Sequence, residues 1–225
     1  MIIAHRGVHN NKEVVENSIE AFKLAKEKGY AIEFDISITK DNRLVIFHDD
    51  NLKRICGVDK NINDVTYEEL KKLKLLNTDE HIPTFKELLE VVDGKVFLDI
   101  EIKTTSKRRD VVELTLKELE NYKGELSLKS FDPKIVRLLQ KKTKDYKIGL
   151  LLTLNNSNKI FNFFIKKGIY LVHYDFLSID SKMLTDEYYN KYIKKCPIQV
   201  WRVSYKDKEK YSKYKDITLI YDDLY

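Results

Sequence analysis

Strand-like and helix-like runs alternate along the whole chain, and this alternation limits the possible folds more than any other feature. Residues 1–5 read as a short buried strand. Residues 18–28 read as a helix with Ile19, Phe22, Leu24 and Ala25 on its apolar stripe. Asn17 with Glu20 three positions on is expected to cap that helix, and Gly29 to stop it. Residues 31–39 and the LVIFHD run flank the turn sequence KDNR and predict a hairpin. Short helices and loops are expected over residues 51–95, with Thr66 and Thr84 as caps. Further strands are predicted at 96–102, 125–131, 146–153, 169–174, 198–203 and 217–222. Helices are predicted near 107–122, 132–144, 157–167, 181–194 and 206–213.

Setting the hairpin arm aside leaves eight principal strands, which suggests a (β/α)8 TIM barrel. An open doubly wound sheet is the runner-up, but no glycine-rich phosphate loop or dinucleotide fingerprint supports it. Residues 1–225 are expected to form a single barrel domain, with a hairpin and small helical insertion over 40–95. The predicted last strand ends at residue 222 of 225, so a truncated or missing final helix is expected.

Composition excludes several classes. No apolar run approaches the roughly 20 residues of a membrane span, and the first residues do not read as a signal peptide, so none is expected. The two cysteines, Cys56 and Cys196, do not suggest a disulfide framework or a zinc site, so a cytoplasmic location is expected. The net charge of +5 comes mostly from dispersed lysine, which suits an anionic substrate better than nucleic acid.

The chemistry follows from the strand period of two. In IEFDISI, Glu33, Asp35 and Ser37 share one face, while Ile32, Phe34, Ile36 and Ile38 share the other. In VFLDIEIK, Phe97, Asp99, Glu101 and Lys103 share a face. With the apolar faces against helices, two strands send carboxylates into the barrel. Crowded interior acids need protonation, basic partners or a bound cation. Arg6 and Lys103 are available as partners in a structural ion network. The alternative is a divalent cation on Glu33, Asp35 and Glu101, and an all-oxygen set favours Mg²⁺, Ca²⁺ or Mn²⁺ over zinc. His5 and His48 end their strands, on the face where barrel active sites lie, and can serve as general acid and base. His173 reads as structural, and His9 and His81 stand outside the constellation. A metal, two imidazoles, Arg6 and Lys103 together suit a phosphodiester.

IAHRG, ENSIEAF, EFDISITKDNRLVIFHDDNLKR, IPTFKELLE and LDIEIK together resemble the glycerophosphodiester phosphodiesterase family. The likeness is close over the first hundred or so residues and weaker through LKSFDP, VWRVS and IYDDL. It implies a TIM barrel with an insertion after the second strand, and His5 and His48 as the acid–base pair. It also implies Glu33, Asp35 and Glu101 as ligands of one divalent cation, with Arg6 and Lys103 on the substrate phosphate. The implied reaction is hydrolysis of small glycerophosphodiesters to glycerol 3-phosphate and an alcohol. A phospholipase D-like enzyme acting on lysophospholipids and a non-catalytic phosphate-ester-binding barrel are the alternatives. The chain departs from the family pattern late: Ser204 follows the Trp segment where Asn is usual, and Tyr221-Asp222-Asp223-Leu224 replaces Thr-Asp-x-Pro. Trp201 is a candidate pocket residue.

Overall fold

The apolar faces of the strands meet a ring of helices, and the polar faces close around a common axis. The structure is a computed structural model that describes residues 1–153, 172–192 and 195–225. Strand β1 (Ile3–His5) is followed by helix α1 (Ile19–Glu27), β2 (Ala31–Ile38) and the short β3 (Leu44–Ile46). Helices α2 (Lys53–Cys56), α3 (Tyr67–Leu70) and α4 (Phe85–Val92) precede β4 (Leu98–Ile102). Then come α5 (Arg108–Leu119), β5 (Leu126–Ser130), α6 (Pro133–Lys142) and β6 (Lys147–Leu152). The chain continues through β7 (Phe176–Asp180), α7 (Asp186–Tyr192), β8 (Ile198–Val203) and β9 (Ile217–Tyr221).

Eight strands run parallel around a closed barrel, in the order β1, β2, β4, β5, β6, β7, β8, β9. Pairing of Ile3 with Ile220 and of Ala4 with Tyr221 closes it. Strand β3 lies outside, antiparallel to β2, as the hairpin reading required. The outward side of β2 is buried: Phe34 meets Phe22 of α1 and Phe85 of α4, with ring centroids 5.9 Å apart in both pairs. Burying one such side chain is worth about 1.5–3 kcal/mol. Thr66 and Thr84 both make full capping boxes, with Glu69 and Glu87. Part of the 40–95 stretch builds a second core beside the barrel, in which Val45, Phe47 and Leu52 pack with Ile62, Leu70 and Ile82. Helix α4 belongs instead to the ring.

Three sequence expectations need correction. The N-cap of α1 is Ser18, whose hydroxyl accepts from Ala21 N, and Asn17 is turned away with φ +57. The strand expected at 169–174 is absent from its described part, residues 172–174; β7 lies at Phe176–Asp180 instead. Residues 169–171 and the helix expected at 157–167 fall outside the described residues. The segment after β8 forms a 3-10 helix (Tyr205–Tyr211), and among the described residues no helix follows β9.

Candidate active site

The turn after β1 is built for close approach. Arg6 and Gly7 both take left-handed backbone, with φ +60 and +79. A Cβ on Gly7 would stand 2.8 Å from the Cβ of Ala21, so the turn admits only glycine. The reversal aims Arg6 into the barrel mouth, where its backbone N–H donates to Glu33 Oε2 at 3.3 Å.

Strand register then brings the acids together. Asp35 is aligned with Glu101, and Glu33 with Asp99. Glu33, Asp35 and Glu101 are all buried and offer oxygen atoms within 4.8 Å of one another. Lys103 Nζ lies 2.9 Å from Glu101 Oε1 and 3.5 Å from Asp35 Oδ1. Arg6 Nε lies 3.6 Å from Asp35 Oδ2. Burial alone would raise the pKa of Asp35, but Lys103 and Arg6 outweigh it and hold the carboxyl well below the usual range. Glu101 goes the other way: burial, reinforced by Asp35 and Glu33, outweighs Lys103 and pushes it up. Adjacent acids that are forced apart in this way are short of positive charge. Three hard oxygen donors in such a cluster fit a divalent cation.

Each imidazole is backed by a carboxylate. His5 Nδ1 donates to Asp222 Oδ1 at 2.6 Å, and its Nε2 lies 3.8 Å from Glu33 Oε2. His48 Nδ1 donates to Asp49 Oδ1 at 2.6 Å. Burial lowers the His48 pKa, and the Lys103 and Arg6 charges add to that against Asp35 and Asp49. With Nδ1 engaged, Nε2 is the nitrogen left to handle protons.

Several functional candidates escaped the sequence reading. Lys129, fully buried on β5, reaches Asp99 Oδ2 at 2.6 Å and Glu33 Oε1 at 3.3 Å. The alternation of LSLKS contained that signal, because Lys129 shares a face with Ser127, which donates to Asp99 at 2.6 Å. Asn17 Nδ2 donates to Asp35 Oδ2 at 3.0 Å, so this residue serves the acidic cluster. Glu16 accepts from Arg6 Nη1 at 2.7 Å and from Arg54 Nη1 and Nη2 at 2.9 and 2.7 Å. Arg54 also grips Asp49 through Nε at 2.6 Å and Nη2 at 3.0 Å. One chain of ionic contacts therefore joins Arg6 to His48.

His5, Arg6, His48 and Glu101 line one cavity, whose far wall is Phe131, Leu151 and Trp201. Trp201 is 8% exposed, packs edge-on to Phe131 at 5.9 Å, and belongs to both core and cavity. Every residue singled out from the sequence, Lys103 included, thus converges at this end of the barrel. His173 lies beside Tyr146 and Lys147 at the start of β6, and His81 pairs with Glu87 at 3.4 Å; neither joins the site.

The chain resembles known proteins over much of its length. A glycerophosphodiester phosphodiesterase of Caldanaerobacter subterraneus subsp. tengcongensis is 37% identical over 162 residues, 67% of this chain and 66% of that one. Lysophospholipase D GDPD1 of Rattus norvegicus is 34% identical over 137 residues, 55% of this chain and 42% of the relative. The chain thus spans under two thirds of the length of these curated relatives. The crystal structure of a glycerophosphodiester phosphodiesterase from Thermotoga maritima superposes with a TM-score of 0.75 at 30% identity, covering 99% of this chain and 94% of that one. The glycerophosphoryl diester phosphodiesterase family matches residues 5–194, and the chain belongs to that family.

Proposed function

We propose that the protein is a divalent-cation-dependent phosphodiesterase that hydrolyses glycerophosphodiesters to glycerol 3-phosphate and an alcohol. The observation that carries this reading is the convergence of the Glu33, Asp35 and Glu101 carboxylates with two carboxylate-backed histidines on one cavity. Glu33, Asp35 and Glu101 hold the cation, Mg²⁺ or Ca²⁺ with Mn²⁺ as the alternative. When bound it neutralises charge on the non-bridging phosphate oxygens. Arg6 and Lys103 add fixed positive charge there, and the Glu16 bond sets the direction of the Arg6 guanidinium.

His5 and His48 divide the proton work. One Nε2 takes the proton of the attacking oxygen as the new P–O bond forms, and the other gives a proton to the leaving oxygen as the old P–O bond breaks. Where the attacking oxygen is water, the monoester forms directly; where it is the neighbouring glycerol hydroxyl, a cyclic phosphate forms first, and water then opens it to glycerol 3-phosphate with the two imidazoles exchanging roles. Asp222 and Asp49 hold the two rings by Nδ1, so that neither turns its other nitrogen to the substrate. Trp201 lines the pocket for the substrate's organic part. The cytoplasmic setting fits two free thiols, and no described helix is long and apolar enough to cross a membrane.

A second reading, lysophospholipid cleavage, draws on the rat relative's name and on the apolar wall of Phe131, Leu151 and Trp201. Phosphorus NMR of products separates the two. The test uses glycerophosphocholine, glycerophosphoethanolamine, glycerophosphoglycerol and lysophosphatidylcholine, each with Mg²⁺, Ca²⁺ or EDTA. Glycerol 3-phosphate from the soluble diesters supports the first reading. Product from the lysolipid alone supports the second, and no product from any removes both.

A further inference from the structure

Strand β8 does not run straight into the mouth. Its pairing with β9 slips between Val200 and Val203, and Arg202 at that irregularity has φ +59. Left-handed backbone is unfavourable for an L side chain other than glycine or asparagine. An arginine held there, with its carbonyl accepting from Ser181 Oγ at 3.0 Å, marks a position where the side chain's direction matters. The bulge throws Arg202 onto the rim of the cavity that contains His5 and His48.

The guanidinium carbon sits 4.8 Å from the centre of the Trp201 ring, and Nη1 lies 3.1 Å from Asp180 Oδ2. The Arg202 side chain is 55% exposed, whereas that of Asp180 is 4% exposed. Asp180 is otherwise committed inward: Oδ1 accepts from Lys182 N at 2.9 Å, and Oδ2 from Thr153 Oγ1 at 3.5 Å. The carboxylate is thus withdrawn and the cation presented.

This arrangement discriminates by charge. A substrate ammonium needs an aromatic face or an open carboxylate. Here the Trp201 face already carries a guanidinium, the Asp180 carboxylate beside it is buried, and the part-exposed Asp222 carboxylate is engaged by His5 Nδ1 at 2.6 Å. An approaching ammonium meets like charge, while an approaching carboxylate meets a planar donor with N–H groups to spare. Trp201 Nε1 is also buried without an acceptor among the described residues.

We propose that Arg202 is a specificity residue that selects phosphodiesters whose alcohol carries an anionic group over those whose alcohol carries only an ammonium. This rests on the phosphodiesterase reading above. Glycerophosphoserine and glycerophosphoethanolamine differ by a single carboxylate, which makes them the test pair. The measurement is kcat/KM for each, on one preparation with one added ion, so that the ratio cancels differences in folded fraction. The wild type is expected to favour the serine diester by about tenfold, the scale of one charge-assisted hydrogen bond. Arg202→Asn, compatible with positive φ, is expected to bring the ratio to about one or below. Arg202→Lys is expected to keep part of the preference. A wild-type ratio of one or less overturns the inference without any variant, and so does a ratio unchanged in both variants. Turnover with a flat ratio removes only the role of Arg202. A wild type that cleaves neither diester removes the phosphodiesterase reading, and this inference with it.

Discussion

In the part of the barrel built from β1, β2 and β4, the inward side chains include His5, Glu33, Asp35, Asp99, Glu101 and the adjoining Lys103. In the part built from β6, β8 and β9, Leu151, Trp201 and Ile220 form a buried apolar cluster together with Ile3 and Ala31 from the bases of β1 and β2. In the proposed reaction the charged wall handles phosphate and protons, and the apolar wall shapes what is attached to the phosphate. Lys129 of β5 belongs to the charged wall, reaching Asp99 and Glu33. The two walls share a cavity and meet through side-chain contacts: Ile3 and Ala31 pack with Leu151, Trp201 and Ile220, Gln199 Nε2 donates to Asp99 Oδ1 at 3.4 Å, and His5 Nδ1 donates to Asp222 Oδ1 at 2.6 Å.

If the charged wall depends on a cation, chelation should have the largest effect. Dialysis against EDTA is expected to abolish turnover, and adding back Mg²⁺, Ca²⁺ or Mn²⁺ to restore it. The cation should also raise the thermal midpoint, since a ligand at 100 times its Kd stabilises by about 2.7 kcal/mol. Full activity after exhaustive chelation would break the comparison at its base. His5→Ala and His48→Ala come next, each expected to lower kcat by at least about a hundredfold. Single-turnover measurements check that the loss lies in chemistry. On the other wall, Trp201→Leu is expected to raise KM by about tenfold while kcat changes far less, the signature of lost uniform binding. A kcat collapse in that variant would mean the two walls are not separable.

The smallest effect concerns acid stability. Burial would raise the pKa of Glu16, but its Arg54 and Arg6 partners hold it well below the usual carboxylate range. A group depressed in the folded state stabilises above its unfolded value of about 4.3, and that contribution is lost as pH falls toward the folded value. Glu16→Gln should therefore be less stable than wild type at pH 7, with the gap narrowing from about pH 5 downward. Urea denaturation across that range checks the sign, and a gap that does not narrow contradicts it.

The charged wall was legible because Glu-x-Asp and Glu-x-Lys in branched strands leave little choice of face. The same alternation placed Lys129 inward, but a single lysine in a strand does not reveal which acids it will meet. The apolar wall was harder to read. IYLVHY has more strand-forming residues than FLSID, yet FLSID forms β7 while residues 172–174, the described part of IYLVHY, are not strand. The interior side of a barrel accepts Ser178 and Asp180, which local strand preference does not register. Asn17 shows the same limit at one residue's scale. As a cap it was as plausible as Ser18, and only the position of Asp35 shows why the hydroxyl took the cap and the amide turned inward.

His5 and Asp222 are 217 positions apart and joined by one hydrogen bond. That contact makes the reaction a reporter of circular closure. A folding intermediate in which β9 has not yet docked beside β1 can hold its helices and its acidic cluster and still leave the His5 imidazole free to swivel. During refolding, recovery of turnover should trail recovery of helical signal, because the last and entropically most distant ring closure is the one that locks a proton donor or acceptor in place.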